Sequence, residues 1–238
     1  RAAAWYVVAE LQRDAGDKAA QRSSLIQALD LAPSSEAALN SARALVDFAD
    51  LTLNERLRVG RALLNGEPRR AVKELRIVID QTSDAKLRAD LRYEVGRTLF
   101  NLGENQAAAS ELLKIPATHS LADRGLFLAA RAQHRNRAGS GHATFRKLIA
   151  EHPNSAEATR ALFYLGDLAH DDGKLSEALD YFRKAGARKE PTNEVAEALM
   201  RAGAILYAQE KYAQAAKHFD AYRTRFTTGS SFGQASYW

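Results

Sequence analysis

Small residues recur inside helical patterns at a nearly constant spacing. Gly60, Gly96, Ala130, Gly166 and Gly203 follow one another in steps of 36, 34, 36 and 37 residues. A glycine inside a helix costs about 1 kcal/mol relative to alanine. A mid-helix small residue that returns at a fixed period therefore marks a place where another helix must come close. It also predicts a repeat architecture, which is the first thing to settle in a chain of this length.

Each small residue is followed by a turn signal and a second helical pattern. The clearest unit runs from Leu162 to Ala185. Leu162, Leu165 and Ala169 form the stripe of its first helix, Asp172-Gly173 the turn, and Ala178, Phe182 and Ala185 the stripe of its second. The next unit has Leu199, Gly203 and Leu206, then Ala215, Phe219 and Tyr222. An earlier one has Val95, Gly96 and Leu99, a turn at Gly103, then Ala108 and Leu112. The first runs Trp5, Val8, Ala9, turn Gly16, Leu25, Ala28, Pro33. Residues 35–66 fit no single unit, and an extra helix is expected there.

Prolines punctuate this scheme. Pro33, Pro116, Pro153 and Pro191 fall between units, and Pro68 sits at a helix start, where a missing N–H is harmless. About fourteen helices are expected. A hairpin with one apolar stripe cannot bury it alone, so neighbours must stack. The period, the small residue of the first helix, the alanine of the second and the closing proline resemble the tetratricopeptide motif. That resemblance implies an all-α fold, a right-handed superhelix of stacked antiparallel helical hairpins, in one region spanning 1–238. The chain opens on a helical pattern at Arg1 and stops at Trp238, which reads as a segment of a longer polypeptide.

A narrower resemblance rests on HPNSAEATRALFYLGDLA (His152–Ala169), YAQEKYAQAAKHFDAYRTRF (Tyr207–Phe226) and the closing GSSFGQASYW, with its Ala-x-Tyr-Trp at Ala235–Trp238. These stretches resemble the helical region of soluble lytic murein transglycosylases. In that family irregular helical hairpins precede a lysozyme-like catalytic domain that cleaves peptidoglycan in the periplasm. Its catalytic glutamate stands in a Glu-Ser motif, and this sequence contains no Glu-Ser dipeptide. The resemblance implies a non-catalytic scaffold whose partners are its own catalytic domain and peptidoglycan strands. The resemblance implies a periplasmic location, with the cytoplasm as the alternative; the alternative function is a tetratricopeptide adaptor for a protein partner.

Composition removes several chemistries. There is no cysteine, which excludes a thiol nucleophile, a disulfide and a cysteine zinc site. No apolar run reaches the roughly 18 residues of a membrane span. Among six histidines no pair has H-E-x-x-H spacing. His170-Asp171-Asp172 is the nearest approach to a metal group, but adjacent residues do not share a helix face. Neither a metal nor a cofactor is expected. Ala138-Gly139-Ser140-Gly141-His142 lacks the Gly-Lys-Ser/Thr end of a phosphate loop and reads as a hairpin turn. The net charge of +5 is concentrated: residues 124–150 hold Arg124, Arg131, Arg135, Arg137, Arg146 and Lys147 and no acid. Only Phe127 and Phe145 interleave with these cations as bulky aromatics, too few for a base-stacking surface, so nucleic acid is disfavoured.

The expected site is the concave surface, which in tetratricopeptide proteins is lined by first helices. That register selects Tyr93, Arg97 and Phe100; Phe127, Arg131 and His134; Phe163, Asp167 and His170; and Met200, Ala204 and Tyr207. Spacings of four and three place each trio on one helix face. Mixed aromatic and polar side chains there suit peptides or sugars.

Overall fold

The computed structural model describes residues 1–137, 139–227 and 235. Among them are thirteen α-helices and no strand. The segment expected to open a fourteenth helix, Ala235–Trp238, lies outside the described residues except for Ala235. The chain divides into two compact units, Arg1–Leu121 and Ala122–Trp238. The first holds α1 (Ala2–Asp14), α2 (Lys18–Leu31), α3 (Glu36–Leu45), α4 (Leu53–Leu63), α5 (Pro68–Gln81), α6 (Ala85–Asn101) and α7 (Asn105–Leu112). The second holds α8 (Ala122–Asn136), α9 (His142–Glu151), α10 (Ala156–Asp171), α11 (Leu175–Gly186), α12 (Asn193–Ala208) and α13 (Tyr212–Arg225). Within each unit, paired helices form hairpins that pack on the next hairpin in sequence.

The two ends of a hairpin are made differently. First helices start from an extended residue whose side chain accepts a backbone N–H: Ser35, Thr52, Asp84, Ser155 and Thr192 cap α3, α4, α6, α10 and α12. Such caps contribute about 1 kcal/mol each. Most second helices start straight out of a tight turn, α2 with an Asp17 side-chain cap as well. Gly16, Gly103 and Gly173 have φ of 77°, 77° and 73°. The following N–H reaches back to the carbonyl five residues earlier: Asp17 to Gln12, Glu104 to Leu99, Lys174 to Ala169. This bond closes the end of the first helix and reverses the chain at once. The α12–α13 turn has the same bond, Lys211 to Leu206, with Glu210 at φ 59° where the others place glycine.

The recurring small residues are the points of closest approach inside each hairpin. A Cβ on Gly60 would lie 2.6 Å from Leu75 of α5, and one on Gly96 2.5 Å from Leu112 of α7. On Gly166 it would meet Phe182 of α11 at 2.6 Å, and on Gly203 Phe219 of α13 at 2.4 Å. Ala130 fills the same place in α8 and is fully buried. Each large partner is itself buried, so neither side can yield cheaply in a close-packed interior.

Arg–acid pairs about one repeat apart join successive hairpins. In the first unit Arg61 pairs with Glu94 at 2.8 Å, Arg69 with Glu104 at 3.1 Å and Arg76 with Glu111 at 3.0 Å. In the second, Arg160 pairs with Glu194 at 3.3 Å and Arg201 with Asp167 at 2.7 Å.

The expected irregularity at 35–66 has a definite form. Helix α3 has no second helix of its own. Residues 46–52 run from its end to Thr52, and α2 ties them down. The Arg22 guanidinium donates to Asp50 Oδ2 at 2.8 Å, to the Asp50 carbonyl at 3.1 Å and to both oxygens of Glu55 at 3.0 and 2.6 Å. Glu55 Oε2 also accepts from Thr52 N and Oγ1, completing a capping box on α4. These bonds, the Arg22 one foremost, hold the Glu55 carboxyl down at about 2.

Two outcomes follow for stability. In urea melts, Gly166→Leu should destabilise by about 1–3 kcal/mol through overpacking. The penalty should shrink in a Phe182→Leu background, with a coupling above about 0.5 kcal/mol. The Glu55 pair should contribute on the order of 3 kcal/mol above the ordinary glutamate range. Because the folded value is depressed, that stability is lost as pH falls from about 4.5 toward 2. Glu55→Gln should lower neutral-pH stability and flatten this acid limb.

Candidate functional site

First-helix residues three before, one after and four after the small position define the expected surface. Applied to Ala9 of α1, the same register selects Tyr6, Glu10 and Arg13. These three form one wall of a cleft of about 710 Å³. Asn40, Arg43 and Ala44 of α3, residues 47–50, and Lys18 and Gln21 of α2 complete its lining. The cleft exists because α3 is followed by the short segment 46–52, which the Arg22 knot holds in place.

The chemistry of the cleft is mixed and nearly neutral. Its acids are Glu10, Asp47 and Asp50; its bases are Arg13, Lys18 and Arg43. Arg13 pairs with Glu10 at 2.8 Å, Asp50 with Arg22 at 2.8 Å, and Arg43 with Glu67 at 2.6 Å while also donating to Asn40 Oδ1. Arg70 and then Arg43 hold the Glu67 carboxyl below its ordinary value. Tyr6 and Phe48 add half-buried aromatic rings. Burial, and next the Glu10 charge, push the Tyr6 phenol up, so it stays a neutral hydrogen-bonding group. The arrangement offers aromatic contact, paired charges and amide hydrogen bonds without a strong net potential.

The sequence-selected residues are placed less uniformly. On α6, Tyr93 is half-buried, Arg97 exposed and Phe100 buried. Phe127 on α8 is a core residue, which corrects its expected place on an open groove: its ring packs on Phe145 at 5.8 Å and Tyr164 at 6.4 Å, and Arg160 lies 4.5 Å over it. Arg131 stands over the Phe127 and Tyr164 rings. His134 meets Tyr164 edge-on and stacks on His142 at 6.3 Å. Burial first, then the Arg146 charge, lower the His142 pKa.

On α10, Phe163 and Asp167 are both engaged by Arg201 of α12, which lies 5.5 Å over the Phe163 ring and 2.7 Å from Asp167 Oδ1. Even so, the Asp167 pKa is raised, with burial the largest cause and Arg201 opposing it. Desolvation thus exceeds the attraction of its partner. His170 is exposed, 3.8 Å from Asp171, while Asp172 is taken by Lys174 at 2.8 Å. Met200 is half-buried and Ala204 exposed. Tyr207 is exposed and meets Tyr212 edge-on at 5.2 Å.

Among the described residues, no three histidine or carboxylate side chains come together as metal ligands. No helix among them is long and apolar enough to cross a membrane. Of the Gly-rich stretch, Ala138 lies outside the described residues; Gly139 to Gly141 form the turn between α8 and α9. In the basic segment, Arg124, Arg135, Arg137, Arg146 and Lys147 are exposed along this hairpin, and Arg146 reaches the Tyr181 hydroxyl at 3.4 Å.

Helical hairpins keyed by a small residue and joined at a period near 36 define a class of repeat proteins. The tetratricopeptide repeat profile matches residues 60–123 and 124–191, and the chain belongs to that family. The C-terminal part of a tetratricopeptide repeat-containing protein from Cytophaga hutchinsonii is similar over 97% of this chain and 92% of its own, at 14% identity and TM-score 0.66. PilF of Pseudomonas aeruginosa is similar over 99% and 96%, at 15% identity and TM-score 0.51. BtubC from P. vanneervenii is similar over 94% and 90%, at 13% identity and TM-score 0.53. At these identities the likeness concerns the fold. No curated protein matches the sequence.

Because burial outweighs pairing at Asp167, Asp167→Asn should change neutral-pH stability by less than about 1 kcal/mol. The raised folded-state value means that the wild type gains stability relative to Asp167→Asn as pH falls through the carboxylate range. Paired chemical-denaturation curves across that range check both statements.

Proposed function

We propose that this chain is a non-catalytic protein-binding scaffold whose principal site is the α1–α3 cleft, and that it takes an extended polar segment of a partner protein. The observation that carries this reading is the 710 Å³ cleft lined by Tyr6, Glu10 and Arg13 of α1 and Asn40 and Arg43 of α3. Three acids and three bases line it, which suits a peptide of mixed charge better than a polyanion. A tyrosine beside arginines is the composition that concentrates binding energy. Family membership supports the same reading, since stacked helical repeats present extended binding surfaces. Within the second unit, Arg131, His134, His170 and Tyr207 are secondary candidates from the same register; Tyr93 and Arg97 are the equivalents on α6.

The narrower reading, the helical part of a periplasmic lytic transglycosylase that guides peptidoglycan, rests on its sequence stretches alone. The comparisons lend it no support, and most of its distinguishing Ala235–Trp238 motif lies outside the described residues.

Selection of random unstructured peptides on the purified chain tests the cleft. Tyr6→Ala and Arg43→Ala should each weaken the selected peptides tenfold or more, the size expected of a hot-spot side chain. Lys73→Glu, on the exposed face of α5, should not. Peptides that bind equally well to all three variants would place the site elsewhere.

A further inference from the structure

Helix α1 carries an apolar face that the rest of the array says how to cover. Trp5, Val8 and Leu11 are 40%, 37% and 65% exposed, along with Val7 beside them. The residue just before the small position is Val8 in α1. Its equivalents Val59, Val95, Leu165 and Ala202 are 0–2% exposed. Trp5, four before the small position, corresponds to Leu162 and Leu199, which are also buried.

In these later helices the cover comes from the preceding hairpin. Helix α10 packs on both α9 and α11, and α12 on both α11 and α13. Leu165 shares a core cluster with Phe145 and Leu148 of α9, and Ala202 with Phe182 and Ala185 of α11. The covering helix therefore presents a large and a small or branched apolar residue three apart. Among the described residues, the helices that pack on α1 are its own second helix, α2, and its neighbour α3.

We propose that this outer face of α1 is a docking face for a helical hairpin of the same repeat kind, whose second helix lies on Trp5, Val8 and Leu11 as α11 lies on α12. A hairpin that ends an array needs a polar outer face to stay soluble. Helix α1 has instead the apolar residues of an interior position, so it is built for continuity with the interface repeated along the chain. A lipid surface fits less well, because a helix lying on a membrane carries an excess of lysine and arginine, whereas α1 has Arg13 against Glu10 and Asp14. A second copy joined through α1 alone would rest on one 13-residue helix, too little contact for the roughly 1,200 Å² of a stable dimer.

The test uses the whole chain with a copy of residues 156–192, the α10–α11 hairpin and its link, placed ahead of Ala2. It is made in a Trp238→Phe background, so that Trp5 is the only tryptophan. The emission of Trp5 should shift to the blue, and α1 amides should exchange about tenfold more slowly or better. Val8→Asp in the fusion should cancel both changes while the added hairpin stays helical. A helical added hairpin that leaves Trp5 emission and α1 exchange unaltered would overturn the proposal. So would the unfused chain showing both changes as its concentration rises, lost on Val8→Asp, since that gives the face to a second copy.

Discussion

The close approach between a small first-helix residue and a large second-helix residue governs the rest of this structure. Gly96 against Leu112, Gly166 against Phe182 and Gly203 against Phe219 leave no room for a Cβ. Each contact sets the rotation of the two helices as well as their distance. Once the small residue faces inward, the residues three before and one and four after it must line one neighbouring strip of the helix. The glycine costs helix propensity, and the packed aromatic or leucine it admits offsets that cost with a side-chain burial of about 1.5–3 kcal/mol. The tight turns serve the same end. With the chain reversing within a few residues at Gly103 and Gly173, the two helices can meet only in antiparallel register.

Where the pattern lapses, the protein spends charge instead of apolar packing. Segment 46–52 has no second helix to bury an apolar stripe, and only Leu51 in it is well buried. Arg22 satisfies a backbone carbonyl and two carboxylates at once, and Glu55 answers it while closing the cap of α4. A bidentate arginine–carboxylate pair with further hydrogen bonds belongs to the strong class of ionic contact. Exposed pairs such as Arg69–Glu104 belong to the weak class and contribute at most about 1 kcal/mol. The knot therefore determines the shape of the cleft beside it, and the ladder of surface pairs mainly refines register between hairpins.

The repeat was legible because it is written in local terms: small residues at a period, glycines at turns, prolines between units. The extra helix near residue 36 was legible for the same reason, as a gap in the period. The Arg22–Asp50–Glu55 knot was not, since nothing local distinguishes Arg22 from the other arginines of the chain. The first-helix trios were partly legible. The same register, applied to Ala9, selects Tyr6, Glu10 and Arg13, which line the cleft. It could not tell an open position from a covered one. Phe127 sits at the selected position but is buried, because Phe145, Tyr164 and Arg160 close around it. Periodicity gives the direction a side chain takes, and the neighbours it meets come from other helices.

Low identity with proteins of the same fold follows from how few positions the constraint occupies. Each hairpin needs one small residue, one large partner, a turn that reverses the chain and a capped start. Even the turn glycine is replaceable, as Glu210 demonstrates by taking the left-handed conformation itself. Ala130 likewise stands where other repeats have glycine. The remaining surface is free to vary, which is why similarity of 13–15% accompanies alignment over nine-tenths of the chain and more. The same freedom limits what family membership says about ligands. The cleft beside α3 arises from a departure from the repeat, so much of its lining comes from residues the repeat does not prescribe. Tyr6, Asn40, Arg43 and the segment held by Arg22 shape and line that cleft without being fixed by the small-residue period.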